Sequence, residues 1–361
     1  MVRKELFLLV DYDKPFKDLD EQLKLLELDR GLDLGPDKTL SGKYLLEIGY
    51  YNIINGYGEQ FEDTSEEQKH YIAGTTFFDI FKQYNLDQTL ARAMIPNLLN
   101  IEQKLGTLLS YFIAESYGVN HYKSDDPKNL WPSDKSYLDE SNYNFSNNSR
   151  GIIAQLYDAI DDAKDNPLAY YRDEKNHIPP WILFSNIEFG KLTRMFKVLT
   201  PDLKLKICTQ LLPKKFNQIN TSHTIVANMF QIFELVRSFR NQFAHNSRFC
   251  FTKFKRLSST ISIRNSLNFY PLISNSESFS GAGKGDLYNL LIIIILFSGG
   301  YEEAEVRINL YDQFIKNQFN NNKNPTDSSF DQKGYDAFIK SSGLPSNFNK
   351  RLIDFAYYLY K

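Results

Sequence analysis

Two hexapeptides near the middle of the chain place an Arg and a His five residues apart: RDEKNH, from Arg172 to His177, and RNQFAH, from Arg240 to His245. An imidazole can serve as general base or general acid near neutral pH. A guanidinium stays protonated and matches two phosphate oxygens. These are the groups that RNA cleavage without a metal ion requires: a base for the 2′-OH, an acid for the 5′-oxygen and a cation for the phosphate. Spacing alone can arise by chance, so the surrounding sequence must distinguish the two.

The RDEKNH segment has little around it that would hold catalytic groups in place. Three of its four inner residues are charged or carry an amide, and prolines stand on both sides, at Pro167 and at Pro179–Pro180. No apolar stripe passes through it. This context favours a solvated loop.

The RNQFAH segment ends a strongly periodic helical pattern. Apolar residues recur at intervals of three or four, which on a helix forms one stripe that must be buried: Ile225, Met229, Ile232, Val236, Phe239 and Phe243. The opposite side carries a row of polar groups at helical spacing: Glu234, Arg237, Asn241 and His245. A row backed by a packed helix can be held rigidly, as catalysis requires.

Helical geometry places a condition on this pair. Residues five apart on a straight helix point ~140° from each other and lie ~7.5 Å apart along the axis, so Arg240 and His245 do not share a face. Asn241 and His245, four apart, do share one. A distorted helix end, the long reach of the guanidinium, or pairing between two subunits would each bring Arg and His together, and the sequence leaves all three open.

The elements that must position these residues are helical. From Leu98 to Phe112 apolar residues recur every three or four positions, and Pro96 is expected to kink or split this long helix. The segment GIIAQLYDAIDDAK predicts an amphipathic helix, and LLIIIILF, from Leu290 to Phe297, predicts a buried one that is too short to span a bilayer. Period-two alternation is scarce. The predicted fold class is mainly α.

The composition is that of an ordinary globular protein, with 42% hydrophobic and 24% charged residues in 361 and a net charge of −2. Nucleic acid would therefore have to bind at a local basic patch rather than to a globally basic surface. The 2 cysteines, Cys208 and Cys250, fit buried structural roles rather than a secreted disulfide framework. No secretion signal or zinc-ligand spacing is recognisable, so we expect a cytoplasmic protein with no cofactor and no metal site.

Beyond composition, the segment RNQFAHNSR resembles the R-N-x-x-A-H-x-x-R signature of the Abi-like (AbiD/AbiF) abortive-infection proteins, which belong to the HEPN superfamily of helical ribonucleases. Other segments match that family in the expected order: KPFKDLDEQLKLL, KYLLEIGYYNIINGY, YNLDQTLARAMIPNLLNIEQKLGTLLSYF and PPWILFSNIEFGKLTRMF. The resemblance runs from about residue 14 to residue 297. The tail after residue 300 has no match to it.

The resemblance implies an HEPN-type helical bundle with helical extensions at both ends and a metal-independent endoribonuclease. Its catalytic residues would be Arg240, Asn241 and His245, in a composite site at a homodimer interface. The products would be a 2′,3′-cyclic phosphate, or the 3′-phosphate from its opening, and a 5′-OH. It further implies an anti-phage toxin that a small RNA regulates. The alternative is a catalytically silent RNA-binding or scaffolding protein that keeps the bundle.

Residues outside the catalytic set have candidate roles in RNA binding, support of the motif or packing. A basic run around and after the motif could follow an RNA backbone or could be an ordinary solvated surface: Arg237, Arg248, Lys253, Lys255, Arg256 and, further on, Arg264. Glu102 could support the motif Arg or His, or form a structural salt bridge. Trp181 and Phe189 are predicted core aromatics, and the glycine-rich FSGAGKGD a flexible connector rather than a phosphate loop.

The expected organisation has three parts: an N-terminal helical region at residues 1–75, an HEPN-like domain at 76–300 with an insertion at about 118–180, and a C-terminal helical extension at 301–361.

Overall fold

The computed structural model describes residues 14–65, 68–145, 151–219, 222–245, 247–257, 259–320 and 330–361. Across these ranges the chain is mainly helical, which confirms the predicted fold class. The described residues form no β-strand, and only three isolated bridge pairs connect extended segments.

The chain divides into two compact units, Met1–Leu86 and Asp87–Lys361. In the first unit, helix α1 (Leu19–Lys24) continues as a π-helical turn, and helix α2 (Lys38–Ile48) is followed by a second π-helical turn at Tyr51–Asn55. The predicted domain boundaries at residues 75 and 300 stay predictions.

Helix α3 (Phe77–Tyr117) starts in the first unit and forms the longest element of the chain, 41 residues. It runs through Pro96 without a break, so the predicted split does not occur. Pro96 cannot donate to the carbonyl of Arg92, but both residues are exposed, and water can replace the lost hydrogen bond. The helix therefore offers one uninterrupted support to the elements packed against it.

The second unit adds thirteen α-helices among its described residues: α4 (Ile152–Asp161), α5 (Leu168–Glu174), α6 (Pro180–Phe184), α7 (Phe189–Val198), α8 (Pro201–Leu211), α9 (Lys214–Ile219), α10 (Ser222–Ala244), α11 (Thr260–Leu267), α12 (Asn275–Phe279), α13 (Leu287–Leu296), α14 (Tyr301–Phe319), α15 (Gln332–Ser342) and α16 (Phe348–Tyr360). Helix α10 packs against α7, α8, α11 and α13.

Helix α13 lies at the centre of this unit, and all of its residues are buried, as predicted from its apolar run. The tail covers it: α16 packs against α13, α14 and α9. The Tyr360 hydroxyl donates to the carbonyls of Ile295 (2.9 Å) and Ser298 (2.6 Å), which satisfies acceptors at the C-terminal end of α13. The tail that lacked a family match therefore caps the bundle.

The FSGAGKGD segment forms an ordered turn between α12 and α13 rather than a flexible connector. Gly285 has a positive φ of 65°, and a Cβ there would collide with the backbone of Phe254. Phe254 donates its N–H to the Gly285 carbonyl (2.9 Å), and the Asp286 side chain accepts from the backbone of Asn289 to cap α13. Glycine is required here because the two backbones touch.

The tail is also attached through an ion pair whose strength should depend on pH. Arg351 of α16 binds both oxygens of Glu277 in α12, at 2.9 and 2.7 Å, and this arginine is the main reason that the pKa of Glu277 falls to about 2. Because the folded-state pKa is below the unfolded one, the pair stabilises the fold above pH ~4.3 and loses that contribution as pH falls toward 2. We expect Glu277→Gln to cost about 1 kcal/mol at pH 7, a small figure because solvent screens the pair.

Urea unfolding of wild type and Glu277→Gln at pH 7 and again near pH 3 measures this dependence, with the difference shrinking at the lower pH. Glu47→Gln is the control, because Glu47 is exposed and its nearest lysine nitrogen is 3.8 Å away. An unchanged difference at the two pH values would contradict the assignment.

Candidate active site

The RNQFAH segment closes helix α10, and the buried side of that helix is as predicted. Met229, Ile232, Val236 and Phe239 are at most 1% exposed, and Phe243 is half-buried. The side chain of Ile225 lies outside the described residues. Phe233 and Leu235 are buried as well, so the stripe is wider than the sequence pattern indicated. The helix is thereby fixed against its neighbours over its last four turns.

Helix α10 ends at Ala244, which puts His245 one residue beyond it. The His245 N–H still bonds to the carbonyl of Asn241 (3.0 Å), and the N–H of Ser247 bonds to the carbonyl of Gln242 (3.0 Å). His245 therefore keeps its helical position relative to Asn241 at the point where the backbone turns away. Its ring is exposed, and no described residue forms a hydrogen bond with it. An imidazole so placed can reach a substrate.

The chain just after the motif is fixed by a residue that sequence reasoning missed. Asp87, in the first third of α3, is fully buried, and its carboxylate accepts the backbone N–H groups of Phe249 (2.8 Å) and Cys250 (2.5 Å). The Phe249 ring packs on Phe239, with centroids 5.1 Å apart. Burial and the adjacent Asp87 raise the pKa of the Cys250 thiol well above its usual value, so this cysteine stays neutral. Asp87 thus orients the backbone that leaves the candidate site.

Arg240 is held by a residue further along α3, Glu102. Its Nε lies 3.6 Å from Oε2 of Glu102, and the side chain is 39% exposed. No hydrogen bond from a described residue occupies the remaining guanidinium nitrogens. Arg240 is therefore oriented by one carboxylate and keeps donors that face solvent, as a phosphate-binding arginine needs.

Glu102 was predicted either to support the motif or to form a structural salt bridge, and its geometry suits the first role. Its Oε2 is buried and has no hydrogen-bond partner among the described residues. Burial raises the pKa of Glu102, while Arg240 and the backbone N–H of Phe189 act in the opposite direction. A carboxylate that is partly desolvated and 3.6 Å from Nε is a directing charge rather than a tight ion pair.

Arg237 is engaged differently from Arg240. It binds Glu234 through two nitrogens, at 3.1 and 2.7 Å, and Glu234 also accepts from the hydroxyl of Thr193 (2.8 Å). This network attaches α10 to α7. Arg237 was predicted to contact RNA, but its guanidinium is already paired with the Glu234 carboxylate.

The basic residues after the motif lie in the connection between α10 and α11, in its described parts 247–257 and 259. Arg248, Lys253, Lys255 and Arg256 are exposed, so they remain candidates for RNA contact. Arg264, which the sequence placed in the same basic run, does not belong there. It is 6% exposed and donates to the carbonyl of Ile273 (2.9 Å), because α11 turns it into the interior.

The other hexapeptide is not a solvated loop, since its first three residues belong to α5. Arg172 donates to the carbonyls of Ile160, Asp161 and Ala163 at the C-terminal end of α4, and its remaining nitrogens bind Asp173. This arginine caps a helix, and each of its three guanidinium nitrogens is already engaged. The His177 ring bonds to Asn176 (2.8 Å) and lies edge-on to Trp131. The two Arg–His pairs are thus distinguished by their arginines.

An open cleft of about 580 Å³ lies next to Glu102. Its walls come from α3 and from the α6–α7 region, and its residues include Leu99, Gln103, Gly106, Tyr111, Trp181 and Ser185. Phe189 is buried, as predicted, but Trp181 is 51% exposed, so its predicted core position is wrong. Trp181 is the second residue of a helix that starts at Pro180, and its side chain points out over the cleft instead of beneath α6.

Asp87 carried a signal that could have revealed it. The buried residues of α3 recur at intervals of three or four as Ala91, Met94, Leu98, Ile101 and Leu105, and stepping back four positions from Ala91 gives Asp87. A carboxylate on an apolar stripe needs buried partners. What the pattern could not supply is the identity of those partners, which lie more than 160 residues away in sequence.

With this geometry in place, the chain can be compared with known proteins. A model of the Abi-like protein family matches residues 43–250, which include α3 and all of α10 with its terminal motif. The chain belongs to the Abi-like family, and this membership indicates a role in abortive-infection defence. No curated protein and no solved structure matches the chain significantly.

No group of three or more His, Cys, Asp or Glu side chains within the described residues could hold a metal ion. No described helix is both long and apolar enough to cross a membrane.

Proposed function

We propose that the protein is a metal-independent endoribonuclease of the HEPN type, in which Arg240, Asn241 and His245 cleave RNA for abortive-infection defence. The observation that supports this best is the state of Arg240. The Arg240 guanidinium is oriented by Glu102 and keeps N–H groups that face solvent. The guanidinium of Arg172, in the similar hexapeptide, instead donates to carbonyls at the end of a helix. Family membership is consistent with the assignment.

The reaction is an internal transesterification. The substrate 2′-oxygen attacks the adjacent phosphorus as a base takes its proton, and the bond to the 5′-oxygen breaks as an acid gives that oxygen a proton. His245 is suited to one of these proton transfers, because an imidazole can both accept and donate near neutrality. Arg240 would neutralise the charge that grows on the phosphate oxygens. Asn241, one helical turn from His245, would hold the imidazole or a phosphate oxygen.

Arg240 and His245 of one chain are five residues apart and point away from a common face of the helix. A two-fold dimer would place a second copy of the motif opposite the first and bring His245 of one protomer toward Arg240 of the other. We therefore propose a homodimer with a shared site. Control of this activity by a small regulatory RNA is a further part of the proposal, which rests on the family resemblance. The exposed run Arg248, Lys253, Lys255 and Arg256 supplies cations for RNA backbone contacts.

Purified protein incubated with single-stranded RNA and EDTA should cleave it, since no step of this chemistry uses a metal ion. The products should end in a 2′,3′-cyclic phosphate or a 3′-phosphate and in a 5′-OH, which mass spectrometry and end-labelling with a polynucleotide kinase detect. A 2′-O-methyl version of the same RNA is the control, because its attacking oxygen is blocked. Loss of cleavage in EDTA, or 5′-phosphate products, would overturn the proposed mechanism.

A further inference from the structure

We infer that the cleft beside Glu102 is a nucleobase subsite, in which an unpaired base of single-stranded RNA stacks on Trp181 while Arg240 holds a phosphate of the same strand. The inference rests on the proposed function and adds a substrate class to it. Trp181 and Tyr111 are the aromatic side chains at the rim, 51% and 60% exposed. Exposed aromatic rings beside a cationic group are the usual platform for single-stranded nucleic acid.

Close packing of α3 against α6 and α7 gives the cleft its floor. A Cβ at Gly106 would stand 3.2 Å from the carbonyl oxygen of Phe184, so only glycine lets the two backbones approach this closely without a shift. The Ser110 hydroxyl lies 3.4 Å from the carbonyl of Pro180, which places the start of α6 beside this turn of α3. Trp181, the residue after Pro180, therefore lies beside Ser110 and Tyr111 along the axis of α3.

The register of α3 sets the distance between this platform and Arg240. Glu102, which contacts Arg240, is eight residues before Ser110, and at ~1.5 Å rise per residue the two levels are about 12 Å apart along the axis. That span exceeds a single stacked base step of ~3.4 Å. The stacked base therefore belongs to a nucleotide a few positions away from the phosphate at Arg240, not to the cleaved linkage itself.

The residues that line the cleft between Glu102 and Ser110 favour a nucleobase as the ligand over a group of side chains from another protein. Exposed Gln103 and Thr107 lie one turn apart on α3, and Ser185, the residue after α6, also lines the cleft. These amide and hydroxyl groups can bond the edge of a base whose face rests on Trp181. A duplex cannot use such a site, because its bases are already stacked and paired. The predicted ligand is therefore single-stranded RNA.

The 2 tryptophans of the chain permit a direct test. In Trp131→Phe, Trp181 is the remaining indole, and its fluorescence should be quenched, to saturation, by a short single-stranded 2′-O-methyl RNA but not by the matching duplex. Trp181→Phe leaves Trp131, which lines a different cleft, and should show no RNA-dependent change. Because this RNA cannot be cleaved, the binding result does not depend on whether the protein is a nuclease.

The kinetic test uses an unmodified single strand. Trp181→Ala should raise KM roughly 10-fold or more through the lost stacking, leave kcat almost unchanged, and be partly rescued in Trp181→Phe; Trp131→Ala should alter neither constant.

Unaltered quenching and KM in the Trp181 variants would overturn the inference while leaving the proposed nuclease intact. Loss of the dimer in Trp181→Ala, seen by sedimentation without RNA, would assign the cleft to a second copy of the chain and would also overturn it. Wild type that binds but never cleaves would instead defeat the proposed function.

Discussion

Replacing His245 by alanine is expected to lower the rate of RNA cleavage by about 10²–10⁴-fold, the usual contribution of one general acid or base. The fold should be unaffected, because the His245 ring is exposed and no described residue forms a hydrogen bond with it. Single-turnover kinetics on a labelled RNA measures the effect, and thermal unfolding checks the fold. His177→Ala is the matched control: it removes the histidine of the other hexapeptide, whose arginine caps α4, and should cleave at the wild-type rate.

Mixing two inactive variants tests the shared site in the same assay. If His245 of one protomer acts with Arg240 of the other, then unfolding and refolding His245→Ala together with Arg240→Ala produces heterodimers in which one of two sites is whole. Random pairing should then recover about a quarter of wild-type activity. Failure of the mixture to recover any activity, with heterodimers demonstrated by mass, would argue that each site is built from one chain. Full activity of His245→Ala alone would remove the histidine from the mechanism.

Asp87→Ala is expected to destabilise the protein by about 2–6 kcal/mol, the largest stability effect that we predict. It leaves the buried N–H groups of Phe249 and Cys250 without an acceptor, and each unsatisfied buried donor costs about 1–3 kcal/mol. Chemical denaturation gives the change in free energy of unfolding. Asp87→Asn should fall between wild type and alanine, because an amide keeps one acceptor oxygen but turns two hydrogens toward the second donor.

The matched control for Asp87 is Glu115→Ala on the same helix. Glu115 pairs with Lys206 at 2.9 Å, but both side chains are about half exposed, so its removal should change stability by less than ~1 kcal/mol. Cleavage by Asp87→Ala should fall as well, at temperatures where the variant is still folded, because the backbone beyond His245 loses its anchor. A variant as stable as wild type would show that the loop after α10 is held by its aromatic packing alone.

The parts of the fold that depend on local periodicity could be predicted from the sequence. The buried side of α10, the amphipathic α4 and the wholly buried α13 follow from apolar spacing along single helices. Trp181 could not be placed in this way, because its exposure depends on how α6 crosses α3 at Gly106, a contact between segments far apart in sequence. The prediction that Arg264 belongs to the exposed basic run was wrong for a related reason, since α11 turns that side chain toward the carbonyl of Ile273.

The sequence indicated the residue types of the candidate site and Glu102 as a possible support for it, but it did not indicate Asp87. The Arg–His spacing and the stripe behind it selected α10, but spacing alone gave RDEKNH the same standing. The sequence context favoured RNQFAH, and the contacts of Arg172 with three carbonyls at the end of α4 add a structural reason to separate the two. The assignment of catalytic roles to Arg240, Asn241 and His245 stays a prediction. Asp87 shows why such support is hard to predict, since its backbone partners lie more than 160 residues away in sequence.

Because Asp87 and Glu102 lie on one unbroken helix, the helix fixes both the distance and the angle between their side chains. One added or deleted residue between them would rotate everything beyond it by ~100° and shift it by ~1.5 Å, so one of the two carboxylates would leave its partner. Homologous chains that keep both contacts should therefore have no insertion or deletion in residues 87–102. Insertions and deletions are expected instead in stretches such as 123–135, which contain no helix whose length must be kept.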